Sequence, residues 1–245
     1  MAKIELSPWD RYSIAGMSGT GKTSFATVLA AVLSTGFNER QRVVWVQTKD
    51  DPRDMARLTK WGYRRIDIKE VGHHADPKQW MYLRQSRPGD LPVNEQVQRL
   101  ARWALKRKSV FLVLDEYAHG VYSVQNAGPD LKNLHKTGRG VRAGIAGLTQ
   151  ELAFVPRQLF SQANHKILFR LDYYPDIKIA RELHRTYDPD RMDKHGFWHR
   201  WSEGFGLAGQ WHYYSNTQDW LDRLGLDHLL RSEDPSEVDT AAASR

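Results

Sequence analysis

The run Gly16-Met17-Ser18-Gly19-Thr20-Gly21-Lys22-Thr23 restricts this chain more than any other feature. It matches G-x-x-x-x-G-K-[ST] in full. A short semi-apolar run, Tyr12 to Ala15, precedes it, and a nearly all-apolar segment, Phe25 to Leu33, follows. At typical residue frequencies such a match arises by chance in a chain of this length in roughly 1% of cases. A strand before the loop and a helix after it are the context in which this pattern cradles phosphate. The glycines let successive backbone N–H groups turn into one concavity, and the helix N-terminus adds about half a positive charge. Gly16, Ser18, Gly19, Thr20, Gly21, Lys22, Thr23 and Ser24 are therefore the expected nucleotide-binding residues. Lys22 would reach the β- and γ-phosphates and Thr23 would hold Mg²⁺, so ATP and Mg²⁺ are the expected ligands. The bland alternative is a glycine-rich turn that happens to precede a buried helix.

The rest of the chain repeats this rhythm. Val43 to Val46 is a continuous apolar strand, of the kind covered by helices on both faces. Helical spacing runs from Pro52 to Trp61, and a strand is expected at Ile66 to Ile68. Residues 72–93, rich in Gly, Pro, His and Asp, read as a long loop. A basic amphipathic helix, Asn94 to Lys108, leads to the most apolar strand, Val110 to Leu114. A helix at Pro129 to Lys136 and a strand at Ala143 to Leu148 follow, then a strand at Lys166 to Leu171 and a helix at Asp176 to Arg185. Alternation of this kind predicts an α/β domain with a mostly parallel central sheet flanked by helices. The pattern loosens after Tyr187. Residues 194–220 are dense in Trp, His, Tyr and Gly, and fit a hairpin at Gly209 to Ser215 and a terminal helix. The expected division is a core over 1–187, a small aromatic-rich C-terminal appendage over 188–230, and a disordered tail over 231–245.

Composition sets outer bounds. With 40% hydrophobic residues the chain can bury a core. No cysteine is present, which excludes a disulfide framework, a thiolate nucleophile and a cysteine zinc site. The N-terminus lacks the apolar region of a signal peptide, and no stretch reaches the roughly 18 apolar residues of a membrane span. Lys and Arg outnumber Asp and Glu by 36 to 29, a modest excess that suits a polyanion partner without requiring one.

The apolar strand ending at Asp115-Glu116 supplies the second half of the phosphate site. A carboxylate at Asp115 would accept from water on Mg²⁺ beside Thr23, and Glu116 would polarise the attacking water as general base. Gln150, just past the next apolar strand, reads either as a sensor of the γ-phosphate or as a solvated strand-end residue. Arg139 and Arg142 sit in a Gly-flanked loop. They read either as arginines reaching a neighbouring subunit's γ-phosphate or as general basic surface.

This order of motifs, with Thr137-Gly138-Arg139-Gly140 and then Thr149-Gln150 behind the tandem acid, resembles the HerA/FtsK superfamily of DNA-pumping ATPases. Within it the chain is most similar to the short genome-packaging ATPases of internal-membrane, double-jelly-roll-capsid viruses. The resemblance covers residues 10–185. It implies a P-loop NTPase of the RecA/FtsK-like kind, with Gly21, Lys22 and Thr23 binding ATP, Asp115 on the metal, Glu116 as base, Gln150 as sensor and Arg139, then Arg142, acting in trans. It further implies a homohexameric ring that moves double-stranded DNA without sequence preference, docked on a capsid or vertex protein, at a virion's packaging vertex and in the host cytoplasm. One departure stands out: the second strand ends Val46-Gln47-Thr48-Lys49-Asp50, without the family's acidic run directly after it, so those residues receive no role.

Other constellations are weaker. Arg99, Arg102, Lys106, Arg107 and Lys108 give one helix a basic face, equally a DNA-channel or capsid-docking surface or a solvated one. His73-His74 and His195/His199 lack acids at metal-ligand spacing. Trp45 and Trp103 read as core, and Trp198, Trp201, Trp211 and Trp220 as the framework of the C-terminal region or as an interface. Two other classes compete with the motor: a P-loop small-molecule kinase with Arg84 and Arg87 in a lid, and an assembly or signalling NTPase acting on a protein.

Overall fold

A strand with helices on both faces has no solvent side, so it is apolar at every position rather than at every second one. That explains Val43-Val44-Trp45-Val46 and Val110-Phe111-Leu112-Val113-Leu114, all buried. The computed structural model describes residues 6–35, 42–48, 52–71, 73, 78–83, 89–201 and 209–226. In chain order its elements are β1 (Arg11–Ala15), α1 (Lys22–Thr35), β2 (Arg42–Gln47), α2 (Pro52–Lys60), β3 (Arg64–Arg65), β4 (Lys78–Tyr82), α3 (Val93–Arg107) and β5 (Val110–Asp115). Then come α4 (Pro129–Thr137), β6 (Ala143–Thr149), α5 (Arg157–Ser161), β7 (His165–Phe169), α6 (Tyr174–Leu183), β8 (Phe197–Trp201), β9 (Trp211–Tyr214) and α7 (Thr217–Leu224).

The strands form one nine-stranded sheet in the order β3-β4-β2-β5-β6-β1-β7-β8-β9. It is parallel from β3 to β7 and antiparallel at β7-β8 and β8-β9. Alternate residues of each strand enter different cores. Val44, Val46, Leu112 and Leu114 pack with α3 and α4, whereas Val43, Trp45, Phe111 and Val113 pack with α1 and α7. β6 stands between β1 and β5, so the loop after β1 and the acids after β5 flank the end of β6. Ligands of open parallel sheets bind at the carboxyl ends of the strands, which is where these segments meet.

The mostly parallel, helix-flanked sheet is the expected one, and three local readings are corrected. The strand expected at Ile66 to Ile68 is instead Arg64–Arg65, because Asp67 caps a helical turn over Ile68–Glu70. The long loop of 72–93 contains a strand, β4, between β2 and β3. Its Gln79 is polar yet fully buried, which broke the apolar pattern. Gly209 to Ser215 is not a hairpin on its own: β9 pairs with β8, where Phe197, His199 and Trp201 are buried at every second position. Through β8 the aromatic C-terminal segment continues the edge of the main sheet. Trp45 and Trp220 are fully buried, Trp201 nearly so, and Trp103, Trp198 and Trp211 pack against the larger core cluster. Arg84, Arg87, His74, Lys49, Asp50 and residues 231–245 lie outside the described residues.

Candidate active site

The loop between β1 and α1 owes its shape to backbone freedom. Gly19 and Gly21 have φ of +78° and +99°, values that side-chain-bearing residues rarely adopt. Gly16 is required for another reason: a Cβ there would collide with Phe169 of β7. The Gly16 N–H donates to the Thr149 carbonyl at 3.2 Å and the Met17 N–H to the Arg170 carbonyl at 2.8 Å, which ties the loop to β6 and to the end of β7. Lys22 is buried, and its Nζ donates to the Met17 carbonyl at 2.8 Å across the loop. Thr20 is buried as well and donates to the same carbonyl at 2.9 Å. Thr20 and Gly16 therefore shape the loop rather than face its cavity.

That cavity has a volume of about 560 Å³ and is lined by Ser18, Gly19, Gly21, Lys22, Thr23 and Ser24 together with Asp115, Glu116 and Gln150. The remainder of its wall comes from Leu148, Thr149, Arg53, Arg57 and His195. The structure thus gathers the phosphate loop, the tandem acid and the strand-end glutamine around one space.

Glu116 is the most constrained residue there. Its backbone is left-handed, at φ 68° and ψ 81°, and its side chain is 5% exposed. Non-glycine residues hold such a conformation only where the surroundings enforce it, and they cluster at functional sites. Here the enforcing contacts are visible. Thr149 Oγ1 donates to Glu116 Oε1 at 3.0 Å, and the Gln150 N–H donates to the same oxygen at 3.3 Å. The next residue, Tyr117, is fully buried and hydrogen bonds through its hydroxyl to His135 of α4. The Asp115 carbonyl accepts from Thr48 Oγ1 at 2.8 Å. Thr48, which had no expected role, therefore braces the end of the strand at Asp115, just before Glu116.

Thr23 and Asp115 line the same cavity as the phosphate loop and its buried lysine. A hard oxygen donor pair of this kind fits Mg²⁺ brought in with a nucleotide, most of whose coordination comes from phosphate and water. Besides Leu148 and Thr149, three residues that the sequence reading gave no place at the cavity line it. Arg53 and Arg57 project from α2, with Arg57 Nη1 donating to Ser24 Oγ at 3.2 Å. Their spacing of four on one helix was the available signal. His195 Nδ1 lies 3.3 Å from the Thr20 carbonyl. Its pairing with His199 at helical spacing does not hold, because His199 is buried within strand β8.

Arg139 and Arg142 are not at this cavity. They precede β6, whereas Thr149 and Gln150 end it, so about 20 Å of strand separates them from the phosphate loop of their own chain. Arg139 forms an ion pair instead with Asp10, just ahead of β1. On α3 the basic face is exposed, and its Arg102 makes a bidentate pair with Asp130 of α4 at 3.1 and 2.7 Å.

Comparison with known proteins agrees with this architecture. No curated protein matches the sequence. Among solved structures, the chain is similar to the genome packaging NTPase B204 from Sulfolobus turreted icosahedral virus 2 in complex with ATP-gammaS. The TM-score is 0.67 at 11% identity, covering 86% of this chain and 100% of that one. It is similar also to B204 of Sulfolobus turreted icosahedral virus, described as a DNA-packaging ATPase, with a TM-score of 0.63 at 14% identity over 86% and 99% of the two chains. The P-loop NTPase fold expected from the motifs is therefore the fold observed. A family model described as AAA domain matches residues 10–149, which span the phosphate loop, the tandem acid and all of β6, and this chain belongs to that family.

Proposed function

We propose that this protein is an ATP-hydrolysing motor that translocates double-stranded DNA, and that it packages a viral genome into a preformed capsid as part of a homohexameric ring. The observation that carries the reading is the convergence of the phosphate loop, Asp115, Glu116 and Gln150 on one cavity, with Glu116 oriented by Thr149. Similarity of fold over the full length of B204, a genome packaging NTPase, supports the packaging part. Docking on a capsid or vertex protein, and a place at a virion's packaging vertex and in the host cytoplasm, follow from that part.

The residues divide the work as their positions allow. Loop N–H groups and Lys22 bind the phosphates and neutralise charge that develops at the γ-phosphoryl group. Thr23 and Asp115 would hold Mg²⁺, which supplies further neutralisation of the phosphate oxygens. Glu116, its carboxylate oriented by Thr149, accepts the proton of the attacking water. Gln150 shares the Glu116 contact through its backbone, which leaves its side chain to touch the γ-phosphate or that water. Arg139 has an exposed side chain, remote from its own cavity, and serves a neighbouring subunit, with Arg142 as the second candidate.

The test is steady-state ATP hydrolysis with and without long double-stranded DNA, at low and moderate salt. Stimulation by DNA that fades as salt rises is the expected result, because a motor that grips the backbone displaces counterions. Brisk turnover that ignores DNA would overturn the translocase reading in favour of an assembly NTPase. Silence until a phosphate acceptor is added would hand the site to the kinase reading.

A further inference from the structure

A line of buried polar side chains runs from Trp220 of α7, whose ring packs on Phe25 of α1, to Arg139 at the end of the sheet remote from the nucleotide cavity. Trp220 of α7 is fully buried, and an indole N–H can only donate. Its Nε1 lies 3.2 Å from His199 Nδ1 in β8, so that nitrogen is the acceptor. His199 therefore carries its proton on Nε2 and donates it to His165 Nδ1 in β7, at 3.1 Å. By the same logic His165 is protonated on Nε2, 3.3 Å from Asp10 Oδ2. The other carboxylate oxygen of Asp10 is buried without a hydrogen-bond partner, and Arg139 Nε lies 3.4 Å from it as an ion pair. One indole thus dictates the tautomer of two imidazoles and the orientation of one carboxylate. Tyr12 holds the middle of the line, its ring stacked on His165 at 4.3 Å between centroids.

The remainder of the neighbourhood leaves Asp10 to this task. Arg11 is occupied elsewhere, with Nε donating to Asn164 Oδ1 at 2.7 Å and Nη1 to the His135 carbonyl. Burial pushes both histidines below their ordinary range, so they sit in the line as neutral rings. Filling that space with apolar side chains would be simpler, since buried polar groups need every partner in place. What the polar line adds is a buried carboxylate held in one orientation beside a guanidinium whose side chain is 57% exposed. The contact engages Nε, and both terminal amino groups lie outside it, the part of the fork that meets phosphate oxygens.

We propose that Asp10 is a positioning residue for Arg139, and that the Trp220–His199–His165 line sets Asp10, so that the seating of α7 governs presentation of the arginine to the adjoining subunit. This rests on the reading of Arg139 as acting in trans.

The experiment uses the full chain, assembled on long double-stranded DNA, with kcat and KM for ATP measured on Arg139→Ala, Asp10→Asn and Trp220→Phe. Arg139→Ala is expected to lose turnover by about 10³-fold or more. Asp10→Asn keeps its volume and Trp220→Phe keeps an aromatic ring, and each should lower kcat by about 10- to 100-fold with KM unchanged, the scale of a small misplacement. Asp10→Asn subunits are then mixed with Lys22→Ala subunits, which have an empty-handed nucleotide site but an intact arginine. Turnover recovered in the mixture is the expected result, because the Lys22→Ala neighbour presents Arg139 to a sound site. A defect in Asp10→Asn that mixing does not relieve would place the fault within its own subunit and overturn the proposal, as would wild-type kcat in Asp10→Asn beside a dead Arg139→Ala. Full turnover in assembled Arg139→Ala would instead remove the trans-arginine reading itself.

Discussion

Glu116 combines a left-handed backbone with a buried carboxylate, and both follow from its contacts with Thr149 and Gln150. Glu116→Gln keeps an oxygen for the Thr149 hydroxyl but removes the base. Nucleotide affinity should stay at the wild-type level while steady-state hydrolysis falls by about 10²- to 10⁴-fold. Hydrolysis within a few-fold of wild type would show that Glu116 is not the base. At this scale the sequence was most legible where chemistry demands a residue type at a fixed offset, as for Lys22, Thr23 and the tandem acid. Thr149, Arg53, Arg57 and His195 carry no such offset. They reach the cavity because β6 inserts beside β1 and because α2 and the turn before β8 fold over the loop, and no local pattern encodes that.

Among the elements, β5 and β6 do most to fix the site, and their junction depends on one missing side chain. A Cβ at Gly147 of β6 would lie 2.5, 2.6 and 2.8 Å from three ring carbons of Tyr117. Tyr117 has nowhere to retreat, being fully buried and hydrogen bonded to His135. Gly147→Ala should therefore destabilise the fold by about 1–3 kcal/mol, the cost of overpacking. It should also lower kcat, because the displaced Tyr117 follows Glu116 directly. Chemical denaturation and steady-state hydrolysis measure the two effects, and an unchanged midpoint would contradict the packing argument. The elements were readable in proportion to how purely they express one period. β2, β5 and β6 are apolar through their interiors, with polar residues only at their ends, and emerged within one or two residues, as did α3. β4 and β8 did not, because Gln79 in one and His199 in the other are polar groups buried in strands, the first fully hidden and the second held by His165 and Trp220.

Over the whole molecule, the fully buried histidines share one property: burial drives His135 down to about 3 and pushes His165 and His199 below their ordinary range. They occupy distinct parts of the fold, with His135 on the buried face of α4 against Tyr117, and His165 and His199 joining β7 to β8. In the unfolded chain each would titrate near 6.5. Above that pH both states are neutral and the histidines cost nothing. As pH falls below about 6.5 the unfolded chain takes up protons that the folded chain refuses, so stability drops, by roughly 1 kcal/mol per pH unit for His135. For His135 the loss continues until about pH 3, where the folded state is protonated as well. Most carboxylates stay ionised above about pH 5, so the interval from 7 to 5 isolates the histidine contribution. Thermal melts across that interval should show a falling Tm, with a shallower fall in His135→Phe. A Tm that is level from pH 7 to 5 would mean that the folded chain takes up protons on these rings as readily as the unfolded one, and the neutral line from Trp220 to Asp10 would then lose its basis.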